Sequence, residues 1–373
     1  MRAPFRGRRI FSACSLALAL LAGCQSGSAP EALGSAAQES KAAAADVSTT
    51  VGSGGAHVDL FIDRSMPGSA DDYRDGAALA AKELGAGKLA LSVHDLRTGA
   101  GDLVGEVRKA AAGGSRFFIG PPSLSGAVAA GASGSAMVLL ASEPSAGGGA
   151  IVSDEIDELV EVAAYAAGAG RKDIMAVASR HLSDAETQRL RSGLKKAGAN
   201  LLDIVIDPSS PAGKKSLAKL GSVQAVMLIG ADAPKVIAPI LRQGGALPAD
   251  VPFLGTATWP ASSYAEPALE GAMLALIDQT RLKRISTRFQ TAYGRPLSLD
   301  AAYAFDAVAV AAGVVRAKGE QGLNADALRS ASGFAGATGV FRFDAQGRVE
   351  RRFAIYRLTR GKPSLLDAAP AGF

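Results

Sequence analysis

Few side chains in this sequence are spaced for catalysis or metal binding. The sequence has three histidines, His57, His94 and His181. They share no metal-ligand spacing. His94 and Asp95 end a predicted strand, where they either face a cleft or hydrogen-bond to each other. Glycines within 99–105 are spaced one residue too widely for a dinucleotide-binding loop. The Ser-x-x-Lys stretches at Ser192 and Ser216 lack the companion motifs of penicillin-recognising enzymes. We therefore expect no enzymatic activity, no metal and no cofactor.

Polar loops that follow predicted strands are better candidates for a binding site. In open α/β sheets, ligands bind beyond the carboxyl ends of parallel strands, where helix N-termini point free N–H groups at the cleft. Ordinary helix capping is the alternative for Ser69, Ser123 and Ser145, and burial between two lobes is the alternative for Trp259. The sequence predicts a cleft for a small polar molecule, lined by Ser65, Ser69, Pro122, Ser123, Ser142, Ser145, Thr256, Thr258 and Trp259.

The hydrophobic pattern indicates the elements that position these loops. From His57 onward, short apolar runs alternate with amphipathic stretches, which is typical of βαβ units around a parallel sheet. The pattern restarts near Ser153, which we expect to cap a helix, so we predict two α/β arrays with a sheet each. Ser183 and Glu186 have the spacing of a capping box. Predicted strands span 58–62, 89–93, 117–119, 137–141, 173–178, 202–206, 225–229, 252–255 and 272–277, and the last two helices span 281–293 and 299–317.

The C-terminal part has a different pattern. Residues 340–344 and 349–358 alternate apolar and polar side chains around a turn at 344–347. This alternation predicts a β-hairpin with one solvent-facing side. The arginines expected on that side are Arg342, Arg351 and Arg357.

The N-terminus has the composition of an export signal. Its basic residues are Arg2, Arg6, Arg8 and Arg9. The charge-free apolar run at 10–21 is too short to cross a bilayer, which needs about 20 residues. The run ends in Leu-Ala-Gly before Cys24, which resembles the bacterial lipobox, whose cysteine is acylated after cleavage. We predict a signal peptide at 1–23 and a lipid on Cys24 that anchors the chain to a membrane, facing the periplasm. Gln25 in place of an aspartate implies the outer membrane in a Gram-negative host.

Residues 24–56 are predicted to form a flexible tether, because they are rich in Ala, Gly, Ser and Thr and cannot bury much apolar surface. The formal net charge of +5 includes the four signal-peptide arginines, so the processed chain is close to neutral. This balance argues against nucleic acid as a partner. Both cysteines, Cys14 and Cys24, lie in the N-terminal part, so the folded part is expected to have no disulfide and no thiolate metal site.

Five stretches, in order along the chain, resemble the leucine/isoleucine/valine-binding type of the type I periplasmic binding proteins. They are 58–62 with Gly76, 118–121, 255–259, 302–307 and 339–343. The resemblance covers nearly the whole chain from His57. More narrowly, the tether with 332–336 and 370–373 resembles proteobacterial lipoproteins labelled penicillin-binding-protein activators. That label comes from outer-membrane lipoproteins whose domain of this fold stimulates a peptidoglycan synthase.

The resemblance implies an α/β fold of two Rossmann-like lobes, joined by three crossing segments that close on a ligand like a hinge. Lobe one would comprise residues 57–145 and 281–333. Lobe two would comprise residues 146–280 and 334–373.

The resemblance also implies roles for two of the polar loops. Amino-acid binders of this family hold the ligand carboxylate with serine and threonine after the third and fourth strands, where Ser123 and 142–145 match. They hold the ammonium group with an acidic residue and a tyrosine in lobe two. Loop 256–258 has no acid, and no tyrosine lies at 181–183. An ammonium group without a counter-charge would be costly in a closed cleft, which weighs against amino-acid capture.

Three hypotheses follow for the function, and the third, a hydrolase of cell-wall material, has the least support. The first is a non-enzymatic envelope lipoprotein, a penicillin-binding-protein activator that acts through protein partners such as a peptidoglycan synthase. It is favoured by the anchor, the tether and the missing ammonium site. The alternative is a substrate-binding lipoprotein that delivers an amino acid or similar small solute to an ABC permease. The fold and the serine-lined loops favour this alternative, and a ligand-closed cleft could also regulate a protein partner.

Overall fold

A computed structural model describes residues 47–373 except 64–65, 67, 97–101, 146 and 219. The predicted signal peptide, the lipidation site Cys24 and most of the predicted tether lie outside these residues. No helix in the described part of the chain is both long enough and apolar enough to cross a membrane.

The first half of the described chain builds a sheet of six strands with helices between them. Its elements are β1 (Val47–Val51), β2 (Ala56–Asp63), α1 (Ala70–Leu84), β3 (Leu89–Leu96), α2 (Leu103–Ala112), β4 (Phe117–Gly120), α3 (Leu124–Gly131), β5 (Ala136–Leu139) and β6 (Gly149–Ala150). The spatial order is β1-β3-β2-β4-β5-β6. The strands from β2 to β6 are parallel, whereas β1 runs antiparallel to β3 at the edge. The order of the parallel strands reverses between β2 and β4, which is where open sheets form a binding crevice.

The second half repeats this plan in a sheet of seven strands. Its elements are α4 (Glu155–Gly168), β7 (Asp173–Ala178), α5 (Asp184–Lys196), β8 (Asn200–Ile206), α6 (Pro211–Leu217), β9 (Ala225–Ile229), α7 (Ala233–Arg242), β10 (Phe253–Thr256) and β11 (Met273–Leu276). The parallel strands have the order β8-β7-β9-β10-β11, so the reversal falls between β7 and β9. Each sheet therefore has one reversal of strand order, and we call the carboxyl ends of the strands beside it the crevice of that sheet.

Two helices and a set of antiparallel strands complete the chain. They are α8 (Gln279–Tyr293), α9 (Leu299–Lys318), β12 (Phe334–Gly336), β13 (Gly339–Phe343), β14 (Val349–Arg351), β15 (Ala354–Thr359) and β16 (Lys362–Asp367). Strands β12, β13 and β14 form a small antiparallel sheet, whereas β15 pairs with β11 and extends the second sheet to β16. The parallel sheets with helices between their strands confirm the predicted α/β class.

The apolar core is divided between the two large sheets. Helix α9 is buried along most of its length and packs with α1 against the first sheet. The same core includes Phe341 of β13 and Val349 of β14. The second sheet has separate clusters on its two faces, which include Trp259 on one face and Phe353 on the other. The small antiparallel sheet therefore shares the core of the first large sheet.

The predicted tether is wrong at its C-terminal end, because residues 47–51 form β1 and pair with residues 91–95 of β3. The run Val-Ser-Thr-Thr-Val is rich in β-branched residues, which fit a pleated strand better than a loop. Pairing with β1 also covers what would otherwise be the open edge of β3.

The helix starts were predicted with mixed success. The capping box of α5 is confirmed, since the Ser183 and Glu186 side chains bond each other's backbone N–H. Helix α4 is capped by Asp154, whose carboxylate accepts from the Asp157 N–H at 3.0 Å, and not by Ser153 as predicted. The Ser153 hydroxyl instead accepts from Arg351 Nε at 2.9 Å.

The C-terminal hairpin is confirmed for β13 and β14, but its second arm is shorter than predicted, because the chain leaves for the second sheet after Arg351. Arg342 and Arg357 are at least partly exposed as expected. Arg351 is 5% exposed, so its predicted place on the solvent face is wrong. Its guanidinium is held by an ion pair with the buried Asp306.

Candidate functional site

The loops after β2, β4 and β5 carry the residues that the sequence predicts to line a cleft at the first sheet. Ser69, Pro122 and Ser123 are exposed, whereas Ser142 and Ser145 are half-buried. Ser65 lies outside the described residues. Neither Ser69 nor Ser123 makes a side-chain capping hydrogen bond, so ordinary helix capping does not explain these hydroxyls.

Two hydroxyls meet at this crevice. Ser145 Oγ, from the loop after β5, lies 2.8 Å from Ser125 Oγ in the first turn of α3. Ser125 was not among the predicted residues, although it follows Ser123 by two positions on the same loop and helix start. Ser125 Oγ also donates to the Pro122 carbonyl at 2.9 Å, so within the pair Ser145 donates to Ser125, and Ser145 is the hydroxyl that can turn its proton towards a polar ligand.

The predicted residues after β10 lie at the second crevice, but they are not equally accessible. Thr258 is exposed and its Oγ1 lies 2.8 Å from Thr256 Oγ1, which is fully buried. Trp259 is 1% exposed, and its Nε1 donates to the Leu228 carbonyl at 3.3 Å. Its indole fills the space beside Gly255, where any Cβ would overlap the ring. We expected Trp259 to line the cleft, but its ring packs in the core of the second sheet.

Two carboxylates that sequence reasoning missed reach the same loop from α4. Glu155 Oε1 accepts from Thr258 Oγ1 at 2.9 Å, and Glu158 Oε2 accepts from the Ala257 N–H at 3.2 Å. The loop after β10 has no acid of its own, but acids stand against it in space. The spacing of three residues between Glu155 and Glu158 puts both on one helical face, which is the signal available in the sequence.

Glu155 is surrounded by donors from the loops at the second crevice. Its Oε1 also accepts from the Gly230 N–H at 2.6 Å, directly after β9. Its Oε2 accepts from Arg180 Nη2 at 3.0 Å and Nε at 3.3 Å, just after β7. Arg180 also pairs with Glu186 at 2.7 Å. Hydrogen bonds from Arg180 and Ser183 outweigh the opposing effect of burial and lower the pKa of Glu186 to about 2.

Glu158 is in a different electrostatic state. Burial raises its pKa to about 8, although the Ala257 N–H and the charge of Arg351 oppose the shift. A carboxyl group with that pKa is mostly protonated at pH 7, so it presents a neutral acid rather than a charge. Neither acid therefore offers a free negative charge, because Glu155 is already paired with Arg180.

Ion pairs connect the loop after β5 with the second half of the chain. Glu143 accepts from Arg348 through both carboxylate oxygens, at 2.9 and 3.2 Å, and lies 3.9 Å from Arg189 of α5. Arg189 also pairs with Asp154 at the start of α4. Glu143 therefore links the loop after β5 to Arg348, just before β14, and to Arg189 of α5.

The one histidine considered for the cleft is a structural residue. His94 Nε2 lies 2.5 Å from Asp59 Oδ1, and its ring stacks on Phe61 with centroids 4.6 Å apart. Its partner is Asp59 on the neighbouring strand, which the parallel register of β2 and β3 brings alongside, rather than Asp95 as the sequence suggested.

Comparisons with known proteins agree on the architecture. A protein from Rhodospirillum rubrum, described as a branched-chain amino acid ABC transporter, superposes with a TM-score of 0.66 at 18% identity, covering 83% of this chain and 99% of its own. A periplasmic ligand-binding protein of a branched-chain amino acid ABC transporter from Burkholderia xenovorans gives 0.60 at 14% identity, over 84% and 93%. A substrate-binding protein from Desulfitobacterium hafniense in complex with Leu gives 0.55 at 16% identity, over 83% and 100%.

Sequence comparisons add nothing to these matches. No protein-family model matches the chain, and no curated protein matches it. Identities below 20% show the fold alone, and the matches support that fold over 83–84% of this chain. The chain has the type I periplasmic-binding-protein fold, as the sequence resemblance implied, with substrate-binding proteins of ABC transporters as its structural neighbours.

Proposed function

We propose that this protein is the solute-binding component of an ABC importer. It would bind a small polar solute, such as an amino acid or a related acid, and deliver it for import without chemical conversion. The observation that carries the proposal is the fold itself, in which two sheets of the same strand order each end in a hydroxyl-bearing crevice. The structural neighbours described as substrate-binding or ligand-binding proteins support the same function. Its protein partner would then be an ABC permease.

The crevice of the first sheet is the proposed site for the solute's carboxylate. Ser123 and Ser145 offer hydroxyl groups at the start of α3, where the helix dipole favours an anion, whereas Ser125 Oγ donates to the Pro122 carbonyl at 2.9 Å. Hydrogen bonds to a charged group contribute about 1.5–3 kcal/mol each, so a few of them are enough to orient a small acid. The other cleft residues would contact the rest of the solute.

The hinge of the proposed binding protein lies where the chain passes between the sheets. We keep the proposed lobe boundaries near residues 145 and 280. Because β13 and β14 contribute to the core of the first sheet, we propose that the last boundary lies after Arg351 rather than at residue 334.

The other hypothesis, a penicillin-binding-protein activator, receives no support from the comparisons, whose matches are transporter proteins. One of its three arguments, beside the anchor and the tether, was the missing acid in loop 256–258. That argument is weakened, because Glu155 and Glu158 stand against the loop, although neither offers a free charge. We therefore favour the solute-binding function.

The proposed location is the periplasmic side of a membrane, through a lipid on Cys24, with the outer membrane expected in a Gram-negative host. The proposal rests on the sequence of the signal segment. Replacing Cys24 with alanine should prevent acylation and release the protein from membranes or leave an unprocessed precursor. Labelling with a palmitate analogue measures this, and a Cys24→Ala protein that remains acylated would contradict it.

The solute-binding proposal is tested by thermal unfolding of the purified protein with amino acids, organic acids, small peptides and muropeptides. A solute at 100 times its Kd stabilises the folded state by about 2.7 kcal/mol, which is readily measured. The Ser145→Ala variant should weaken binding of the active solute by about tenfold, as expected for a lost hydrogen bond to a carboxylate. Ser192→Ala, on an exposed face of α5, is the matched control. Absence of any shift, together with capture of a peptidoglycan synthase, would favour the activator hypothesis.

A further inference from the structure

The Glu155 side chain is held as a bound carboxylate would be. Its two oxygens accept hydrogen bonds from the Arg180 guanidinium, the Gly230 N–H and the Thr258 hydroxyl, at 2.6 to 3.3 Å. Arginine, a hydroxyl and a backbone N–H form a donor set that suits a carboxylate in charge and geometry. The Glu155 side chain is only 8% exposed, so these donors enclose it.

The donors come from separate loops of the second sheet. Arg180 follows β7, Gly230 follows β9 and Thr258 follows β10, so all three lie at the carboxyl ends of neighbouring parallel strands. The order of strands reverses between β7 and β9, which is the position where open α/β sheets bind their ligands. The carboxylate is supplied from outside this set, by the first residue of α4.

We propose that the second sheet carries a complete carboxylate-binding subsite, which the protein fills with its own Glu155. The Glu155 carboxylate therefore occupies the position that the carboxylate of a bound ligand would occupy. Because Glu155 is part of the chain, it competes with free carboxylates at a high effective concentration and keeps them out. The subsite becomes available to small carboxylates only when the Glu155 side chain is removed.

The consequence for specificity rests on the proposed solute-binding function. A solute whose acidic group occupies the crevice of the first sheet meets, at the second crevice, a carboxylate that is already paired with Arg180. A second acidic group on the solute would find no free donor there, and it would be repelled because Glu155 and Glu186 share the single positive charge of Arg180. The subsite thus selects solutes with a single acidic group and directs their neutral or cationic end towards Thr258.

The subsite can be tested without knowing the solute. Thermal unfolding of the Glu155→Ala variant is followed as sodium acetate replaces sodium chloride at constant ionic strength. The variant should unfold at a lower temperature than the wild type and regain about 2–4 °C in acetate, with a saturable dependence on concentration. The wild type should show no acetate-specific gain, because its subsite is occupied.

Two controls separate the subsite from a general effect of acetate. Glu161→Ala removes another carboxylate from α4, one that lies 3.7 Å from Arg352, and should not respond to acetate. Adding Arg180→Ala to Glu155→Ala should abolish the response. Equal responses in the Glu155→Ala and Glu161→Ala variants, or no response in Glu155→Ala, would overturn the proposal.

If Glu155→Ala does not fold alone, refolding from urea in acetate or in chloride makes the same comparison. Recovery of folded protein in acetate alone is the expected result, and equal recovery in both salts would overturn the proposal. Because acetate is the probe, a failure here leaves the solute-binding function standing, and a failed solute screen leaves the subsite standing.

Discussion

The Arg351 guanidinium and the Asp306 carboxylate form an ion pair at 3.4 Å in which both side chains are completely buried. Arg351 ends β14, and Asp306 lies in the middle of α9. The Thr338 hydroxyl donates to Asp306, and Arg351 also donates to the Ile151 carbonyl at 2.7 Å. The pair thus connects α9, the core helix of the first sheet, to Ile151 in the segment of chain that runs from the first sheet to the second.

Replacement of Arg351 with methionine should lower the free energy of unfolding by about 3–5 kcal/mol, because it leaves the Asp306 carboxylate buried without its counter-charge. Urea unfolding followed by circular dichroism measures this. Arg357→Met is the matched control, since Arg357 is exposed on β15, and it should change stability by less than about 0.5 kcal/mol. Similar losses in the two variants would contradict the structural role of the pair.

The close contact of α1 and α9 predicts a second effect. A Cβ at Gly76 would overlap the Ala301 carbonyl, so Gly76→Ala must push the two helices apart. We expect a loss of about 1–3 kcal/mol in the free energy of unfolding. Gly126→Ala, in α3 where a Cβ has open space, should instead stabilise by about 0.5–1 kcal/mol. Thermal unfolding of the pair measures both, and a neutral Gly76→Ala variant would show that the helices are not tightly packed there.

Glu158 predicts a pH dependence of stability. Its pKa is about 8 in the folded protein and near 4.5 in an unfolded chain, so the folded state holds the proton more tightly. Stability should therefore fall as pH rises from about 4.5 to about 8, because the unfolded state releases its proton first.

Glu158→Gln keeps an oxygen acceptor for the Ala257 N–H and removes the titration. At pH 8 the variant should be more stable than the wild type by on the order of 4 kcal/mol, with little difference at pH 4.5. Urea unfolding across this range provides the measurement, with the exposed Glu320→Gln as control. An unchanged slope with pH would mean that Glu158 is ionised in the folded protein.

The edge strand β1 predicts the outcome of an N-terminal truncation. A chain that begins at Ala56 lacks β1 and leaves the edge of β3 unpaired, whereas a chain that begins at Val47 retains the pairing. The shorter chain should unfold at a lower temperature and aggregate more readily, because open strand edges pair with other chains. Light scattering and thermal unfolding compare the two, and equal behaviour would show that β1 contributes nothing to the sheet.

The sequence predicted the parts of this fold that depend on local pattern. Long apolar runs such as 225–229 were found as strands because buried parallel strands are apolar on both faces. Strand β1 was missed because it is short and flanked by small residues, and its partner β3 lies more than a helix away along the chain. Pairing of that kind is not visible in local composition.

The candidate site was less predictable because its contacts are distant in sequence. Glu155 contacts Thr258, which lies 103 residues further along the chain, and no local sequence pattern predicts a contact over that separation. Trp259 was ambiguous for another reason, since an aromatic residue after a strand serves a core and a cleft equally well. The space beside Gly255 decides in favour of the core. The position of the polar loops was predictable, because the carboxyl ends of parallel strands lie at the same edge of a sheet.

The last strand of the second sheet has a further consequence. Strands β15 and β16 are joined by Arg360 and Gly361, both with positive φ, so Thr359 and Lys362 form the hydrogen-bonded pair beside the turn. The next pair, Leu358 with Pro363, directs its N–H positions away from the partner strand. Pro363 has no N–H to present at this open edge, and the neighbouring lysine adds charge. A strand from another copy therefore meets an interrupted row of donors and a positive charge at this edge, which disfavours edge-to-edge pairing there.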